Sequence, residues 1–332
     1  MQFGIVGSGS WATALAKILT DNEHIINWWI RNKTSISQIK QRHHNPHYLN
    51  SAYFNTALLK LDDNIEQVIA DSEVVVVAIP SAFVEDAFGQ LPRNIFKGKK
   101  IVSAIKGILP ESNQLLNDYL AQHFNVELQD YFTVLGPCHA EEVASEKLSY
   151  LTFSGIDEKM AHTISGYFQT EYLNVLANHD VIGVQYAAVL KNIYALGAGI
   201  AHGLEYGDNF LSVYISNSAS EMVGFLRKAV GDKVCNQVNY STSVYLGDLL
   251  VTCYSLYSRN RMFGNMLGKG YSVKAAQLEL NMVAEGYNAS KCINIENKKV
   301  MAPMPIATTI FDILWNHLSP TEGFKRIENT LI

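Results

Sequence analysis

Six residues near the start of the chain restrict the fold more than any others. The apolar run Gln2-Phe3-Gly4-Ile5-Val6 leads into Gly7-Ser8-Gly9-Ser10-Trp11-Ala12, and an apolar helical stretch continues from Ala12 to Leu19. A G-x-G-x-x-A element between a strand and a helix is the fingerprint of a dinucleotide-binding turn. Gly7 allows the tight turn, Gly9 lets the backbone approach a pyrophosphate, and Ala12 is small enough for helix to pack on strand. The free N–H groups at the helix start complete an anion site. The competing interpretation is a glycine-rich turn that holds nothing.

The surrounding pattern decides what kind of sheet carries the turn. Candidate strands cover residues 2–7, 25–30, 74–79, 101–105 and 131–135, and several are continuous β-branched runs. Such runs suit parallel strands covered on both faces. Segments 11–21 and 62–71 between them are long enough for crossover helices, so the alternation predicts a doubly wound, Rossmann-like α/β sheet. After about residue 180 the pattern changes. Segments 183–203, 209–231, 272–285 and 303–317 repeat apolar residues every three or four positions, which predicts an all-α second part. At about 150 residues per domain, 332 residues make two: a dinucleotide-binding domain over 1–180 and a helical domain over 181–332. The polar stretch Asn178-His179-Asp180 is placed to cap the first helix of the second.

Composition narrows the partners. Charged residues are 17% of the chain, apolar residues 48%, and the formal charge is −5. Disorder as the general state is excluded. Without a basic block, nucleic acid is excluded as a partner as well. A small anionic ligand needs only a few local cations and stays open. Cys138, Cys235, Cys253 and Cys292 lie far apart with no C-x-x-C pair, which predicts reduced thiols rather than a disulfide or zinc framework. The N-terminus lacks the features of a signal peptide, and no apolar run approaches the ~18 residues of a membrane span. These features predict a cytoplasmic protein without a membrane partner.

Strand and helix packing leaves several polar groups unexplained. Lys106-Gly107 stands just past the strand 101–105, and Gly136-Pro137-Cys138-His139-Ala140 just past the strand ending at Leu135. Both lie on the carboxyl edge where α/β sheets bind ligands. Lys191-Asn192 interrupts the apolar helix Val184–Leu196. Gly247-Asp248-Leu249 and Ser258-Arg259-Asn260-Arg261 follow. At the end of the second strand stands Arg31, where an NAD site usually has an acidic residue. An arginine there suits a 2′-phosphate and tilts the expectation towards NADP over NAD.

With those residues in view, the chain resembles the NAD(P)-dependent glycerol-3-phosphate dehydrogenases of the bacterial type. The resemblance rests on Gly7–Ala12, Val77–Ser81, Ser103–Gly107, Gly136–Ala140, Leu190–Asn192, Gly247–Leu249, Ser258–Arg261 and Glu285-Gly286, in family order from residue 4 to about 310. It implies reversible reduction of dihydroxyacetone phosphate to sn-glycerol 3-phosphate, feeding glycerophospholipid synthesis, with NADP or NAD as cofactor and no metal. Lys191 would be the proton donor, with Lys106 polarising the carbonyl or holding the substrate from the first domain across an interdomain cleft. Asp248 would orient Lys191. Asn192, Ser258, Arg259 and Asn260 would join Lys106 and Lys191 around the phosphate substrate, with Gly136 and Cys138 lining the same site. Gly7, Gly9, Ser10, Trp11, Arg31, Lys106, Ala140, Arg259 and Glu285 would contact the cofactor. A homodimer and feedback inhibition by product are compatible with the resemblance, although no residue pattern demands either.

Each assignment has a plainer rival. Lys191 could snorkel to solvent, Asp248 could merely cap a helix, Ser258–Arg261 could be a solvated turn, and Glu285 could be a surface residue at a helix end. Cys138 and His139 depart from the family, which has Ser or Thr and then an aromatic there. Cys138 then reads as a small buried filler. His43, His44 and His47 read as loop histidines rather than metal ligands. Rival activities are another two-domain dehydrogenase, of the 3-hydroxyacyl-CoA or 6-phosphogluconate type, and a non-catalytic NAD(P)-binding protein.

Overall fold

The computed structural model describes residues 1–231, 237–280 and 284–332, so Cys235 lies outside the described residues. The chain divides into two units. Met1–Ile105 and Gln114–Val181 make up the first, and Lys106–Asn113 and Ile182–Ile332 the second.

The first unit is built on an eight-stranded sheet among the described residues. Its strands are β1 (Phe3–Val6), β2 (Ile26–Trp29), β3 (Leu59–Asp62), β4 (Val74–Val77), β5 (Lys100–Ser103), β6 (Tyr131–Leu135), β7 (Ser149–Ser154) and β8 (Leu173–Asn178). Their order is β3-β2-β1-β4-β5-β6-β7-β8. All neighbours are parallel except β6 and β7, which pair antiparallel. The expected parallel sheet is therefore present. The fully buried runs Phe3–Val6 and Val74–Val77 sit beside each other in register, Val6 opposite Val77. Such runs can stay out of water on both faces, which is what a central parallel strand requires.

Sequence pattern recovers five of these strands and misses β3, β7 and β8. β3 is a short edge strand with Lys60 exposed, and Ser149, Thr152 and Ser154 dilute the apolar signal of β7 although all three are buried. β8 carries the stretch expected to cap the next helix. Asn178 ends that strand, and its carbonyl accepts from the Gly155 N–H instead.

In sequence, strand order runs outward from β1 to β3 and then back from β4 onward, so the reversal falls between β1 and β4. Open α/β sheets bind ligands at that reversal, beyond the carboxyl ends of the strands. Gly7 leaves β1 at this point, and Gly136 leaves the parallel β6 at the same edge.

The second unit contains no strand among its described residues. Its helices are Gly183–Gly203, Asp208–Val230, Asp248–Tyr254, Arg259–Gly268, Val273–Glu279, Glu285–Val300, Pro305–Trp315 and Pro320–Glu328. Gly183–Gly203 is buried along almost its whole length, as expected of a helix apolar on every side. It crosses Arg259–Gly268 through paired glycines. A Cβ on Gly203 would stand 2.5 Å from the Asn265 carbonyl oxygen, and one on Gly199 or Gly264 would collide with the Arg261 or Leu196 carbonyl. Backbone lies directly on backbone there.

Two boundaries differ from the pattern-based division. Residues 106–113 belong with the helical unit, not with an undivided domain over 1–180, because the chain leaves the sheet after Ser103 and the Lys106 carbonyl is taken by Asn192. The expected helix 272–285 stops at Glu279, and Glu285 opens the next one.

Candidate functional site

At the start of the first unit, Gly7 has φ +128°, and a Cβ there would run into the Ala78 carbonyl. Its glycine is demanded by the protein itself. Gly9 differs. Its backbone is extended at φ −74°, ψ −177°, and no atom lies within 4 Å of where its Cβ would be. Neither conformation nor packing explains that glycine, whereas a pyrophosphate lying on the turn does. Gly9 is also the N-cap of the helix Ser10–Asp21 and makes no side-chain cap hydrogen bond, so the positive end of the helix dipole suits an anion. The turn thus fits a dinucleotide. Ala12 is buried completely, as close helix–strand packing requires.

In the second unit, Lys191 and Asp248 face each other. The Lys191 ammonium donates to Asp248 Oδ1, and the two residues are 3% and 1% exposed. Lys191 does not snorkel. Asp248 is the first residue of its helix, placed there by the π-helical turn Ser243–Gly247, and its carboxylate goes to the lysine rather than to a backbone N–H of its own helix. Asp248 Oδ2 is buried and has no hydrogen-bond partner among the described residues. A buried carboxylate with one oxygen engaged by an ammonium holds that ammonium in a defined direction. Thr252, one helical turn on, donates its hydroxyl to the Asp248 carbonyl and lies 3.5 Å from Asp248 Oδ1.

Three helices meet beside this pair through a relay of amides. Asn192 Nδ2 donates to the Lys106 carbonyl (2.9 Å), Asn260 Nδ2 to Asn192 Oδ1 (2.9 Å), and the Gly286 N–H to Asn260 Oδ1 (2.9 Å). A Cβ on Gly286 would stand 2.6 Å from the Asn192 carbonyl oxygen, so glycine is required for the contact. The relay ties down the chain neighbours of Lys191, Arg259 and Glu285. Ser258 is not a solvated turn residue: it is the N-cap of Arg259–Gly268, and its hydroxyl accepts from the Arg261 N–H at 3.3 Å. Arg259, half-buried in the first turn of that helix, has no carboxylate partner among the described residues.

Other expected residues stand elsewhere in the first unit. Arg31 is exposed after β2, just ahead of Asn32, which caps the helix Lys33–Arg42. Gly136 has φ +148°, and the buried Cys138 thiol donates to the Tyr150 carbonyl at 3.1 Å. Ala140 is the buried first residue of a short helix. His43 and His44 bond the carbonyls of Phe54 and Arg42. Among the described residues, no three His, Cys, Asp or Glu side chains could hold a metal ion, and no helix is long and apolar enough to cross a membrane. Cys138, Cys253 and Cys292 are free thiols. Burial pushes Cys253 up to about 12 and Cys292 to about 11, so both stay protonated and unreactive.

Thr252 and Asn45 are not among the residues that the sequence pattern marks out. Thr252 had one signal, since it lies four residues after Asp248 and therefore on the same helix face. Asn45 sits in the histidine loop, and nothing in its local sequence points to the glycine turn it touches.

A pyrophosphate-ready turn at a sheet reversal, together with a buried ammonium–carboxylate pair, places this chain among the dinucleotide-dependent dehydrogenases. Two family models match it: the NAD-dependent glycerol-3-phosphate dehydrogenase N-terminus over residues 2–161 and the corresponding C-terminus over 180–325. The chain belongs to the NAD-dependent glycerol-3-phosphate dehydrogenase family. Among relatives named glycerol-3-phosphate dehydrogenase [NAD(P)+], the Macrococcus caseolyticus protein is 31% identical over 99% of this chain and 98% of its own. That of Bacillus subtilis is 34% identical over 94% and 89%. The fold is shared with the solved glycerol-3-phosphate dehydrogenase of Coxiella burnetii, with a TM-score of 0.89 at 24% identity over 98% of each chain.

Proposed function

We propose that the chain catalyses the reversible reduction of dihydroxyacetone phosphate to sn-glycerol 3-phosphate. One observation carries the reading: the buried Lys191–Asp248 pair in a chain of this family. Reducing a ketone requires a proton on the carbonyl oxygen as hydride reaches the carbon. Bound on the Gly7–Ala12 turn, NADH or NADPH supplies that hydride. Lys191 Nζ donates the proton to the carbonyl oxygen and recovers it from the hydroxyl in the reverse direction. Asp248 holds the ammonium in place, and Thr252 steadies Asp248.

Arg259 and the N-terminus of its helix bind the substrate phosphate, one through charge and the other through free N–H groups. Lys106 holds the substrate oxygen. Asn192 and Asn260 support the site through the relay, and Ser258 supports it by capping the helix. Gly136 keeps the backbone close, while Cys138 fills space behind it. On the cofactor side, Ser10, Trp11, Arg31, Ala140 and Glu285 are the proposed contacts, with Arg31 favouring NADPH. On the same family reading the reaction is cytosolic. The test follows absorbance at the nicotinamide band with dihydroxyacetone phosphate and each reduced cofactor. Turnover supports the reading. No turnover with either cofactor, in a preparation that binds one of them, overturns it.

A further inference from the structure

The glycine turn is held by its carbonyl oxygens. Trp28 Nε1 donates to the Gly7 carbonyl at 2.6 Å. Asn45 Nδ2 donates to the Ser8 carbonyl at 3.0 Å and to Thr13 Oγ1 at 2.8 Å. Thr13 Oγ1 in turn donates to the Gly9 carbonyl at 2.9 Å. Three consecutive carbonyls are therefore drawn into the first unit by side chains that are almost wholly buried, Trp28 and Thr13 at 0% and Asn45 at 2% exposed. The Ser8 and Gly9 N–H groups, by contrast, have no acceptor among the described residues. A peptide whose C=O is fixed inward has its N–H fixed outward, because the two ends of the unit are antiparallel. The turn is thus polarised. Its negative ends are tied down and its positive ends are free for an anion.

Asn45 is the hub of this arrangement. It spends both amide hydrogens on the turn and its helix, while Oδ1 accepts from the His47 N–H at 3.1 Å. The loop His43-His44-Asn45-Pro46-His47 anchors itself through His43, whose Nδ1 bonds the Phe54 carbonyl and whose ring stacks on Tyr53 at 5.2 Å. That loop thereby delivers a fully satisfied amide beneath the phosphate turn.

We infer that Asn45, acting with Thr13, is a positioning residue for the cofactor: it sets the turn that receives the dinucleotide and takes no part in the proton transfer. The inference rests on the family's use of NAD(P)H. The experiment measures dissociation constants for NADH and NADPH by tryptophan fluorescence, on the parent chain and on Asn45→Ala, Thr13→Val and Thr13→Ser. Thermal midpoints and kinetics with dihydroxyacetone phosphate accompany them. A parent chain that binds neither cofactor would overturn the cofactor assignment itself.

With the parent binding, Asn45→Ala weakens cofactor binding about tenfold, as loss of a polarising hydrogen bond to a charged ligand's site should. Thr13→Val weakens it about fivefold by cutting the Asn45–Thr13–Gly9 hydrogen bonds without changing shape, and Thr13→Ser restores it. At saturating cofactor, kcat and the KM for dihydroxyacetone phosphate stay within twofold of the parent. A merely structural role would lower the thermal midpoint without separating cofactor affinity from kcat in this way and without the serine rescue. Should Asn45→Ala fail to fold, the Thr13 pair decides alone. Unchanged cofactor affinity in folded Asn45→Ala or in folded Thr13→Val, or a fall in kcat at saturating cofactor, overturns the inference.

Discussion

Lys191 and Asp248 form a buried ion pair in which the carboxylate uses one oxygen for the lysine and leaves the other without a hydrogen-bond partner. An ion pair built for stability would satisfy both oxygens, because an unsatisfied buried oxygen costs about 1–3 kcal/mol. The arrangement instead suits a lysine that must be held in position and still pass a proton.

Replacing Lys191 with Met should therefore do two separable things. Turnover of dihydroxyacetone phosphate should fall by about 10²- to 10⁴-fold, the usual contribution of a placed proton donor. Stability should fall by about 3–5 kcal/mol, because Asp248 is left as a lone buried charge. Adding Asp248→Asn should recover much of the stability and none of the activity. Denaturant unfolding and steady-state kinetics on the single and double variants check both. Full turnover in Lys191→Met would move the proton donor elsewhere.

Gly7 and Gly9 should separate folding from binding. Gly7→Ala forces a side chain onto φ +128° and into the Ala78 carbonyl, so a loss of at least 1–3 kcal/mol is expected, on the order of backbone strain and overpacking. Gly9→Ala meets nothing in the protein. It should leave the thermal midpoint nearly unchanged and weaken NADH and NADPH binding at least tenfold. A Gly9→Ala protein that binds cofactor normally would show that the space above Gly9 is not the pyrophosphate site.

How far these parts can be read from sequence depends on how local their causes are. Gly7–Ala12 is readable because turn, strand and helix are contiguous. β1 and β4 are readable because a buried parallel strand needs an unbroken apolar run. The helix Glu285–Val300 is not, since its inward face is made of Gly286, Ala289, Ser290, Cys292 and Ile293, mostly too small or polar to register as a stripe. The Lys191–Asp248 pair spans 57 positions, and only family resemblance joins the two in advance. Ser258 shows the limit of resemblance. Its hydroxyl is committed to a helix cap, a structural task that a substrate-binding motif does not announce.

The glycine crossing gives a prediction with an internal control. Gly264→Ala places a methyl against the Leu196 carbonyl, and the helices bearing Lys191 and Arg259 must move apart. About 1–3 kcal/mol of stability should be lost, with a fall in activity out of proportion to the unfolded fraction. Gly224 lies exposed within the helix Asp208–Val230, and a Cβ there meets nothing. Gly224→Ala should stabilise by about 0.5–1 kcal/mol, since alanine is the better helix former. Chemical denaturation of both variants tests this. Two substitutions of equal effect would refute the close crossing.

Glu221 gives a pH dependence whose sign can be worked out. Its carboxylate accepts from the Ile306 and Ala307 N–H groups at 2.8 and 2.9 Å, fastening the start of the helix Pro305–Trp315, and from Tyr194 at 3.2 Å. Burial nonetheless outweighs these donors and pushes Glu221 from the ordinary 4.5 up to about 7. The folded chain thus binds this proton more tightly than the unfolded chain. The stability it confers is fully present below pH 4.5 and is lost as pH rises from 4.5 to 7, after which the contribution is flat. In Glu221→Gln that slope should vanish, so the thermal midpoint of the parent, measured relative to the variant, should fall across this window. Parallel curves for the two proteins between pH 4.5 and 7 would place the ionised carboxylate, held by its backbone donors, at ordinary acidity.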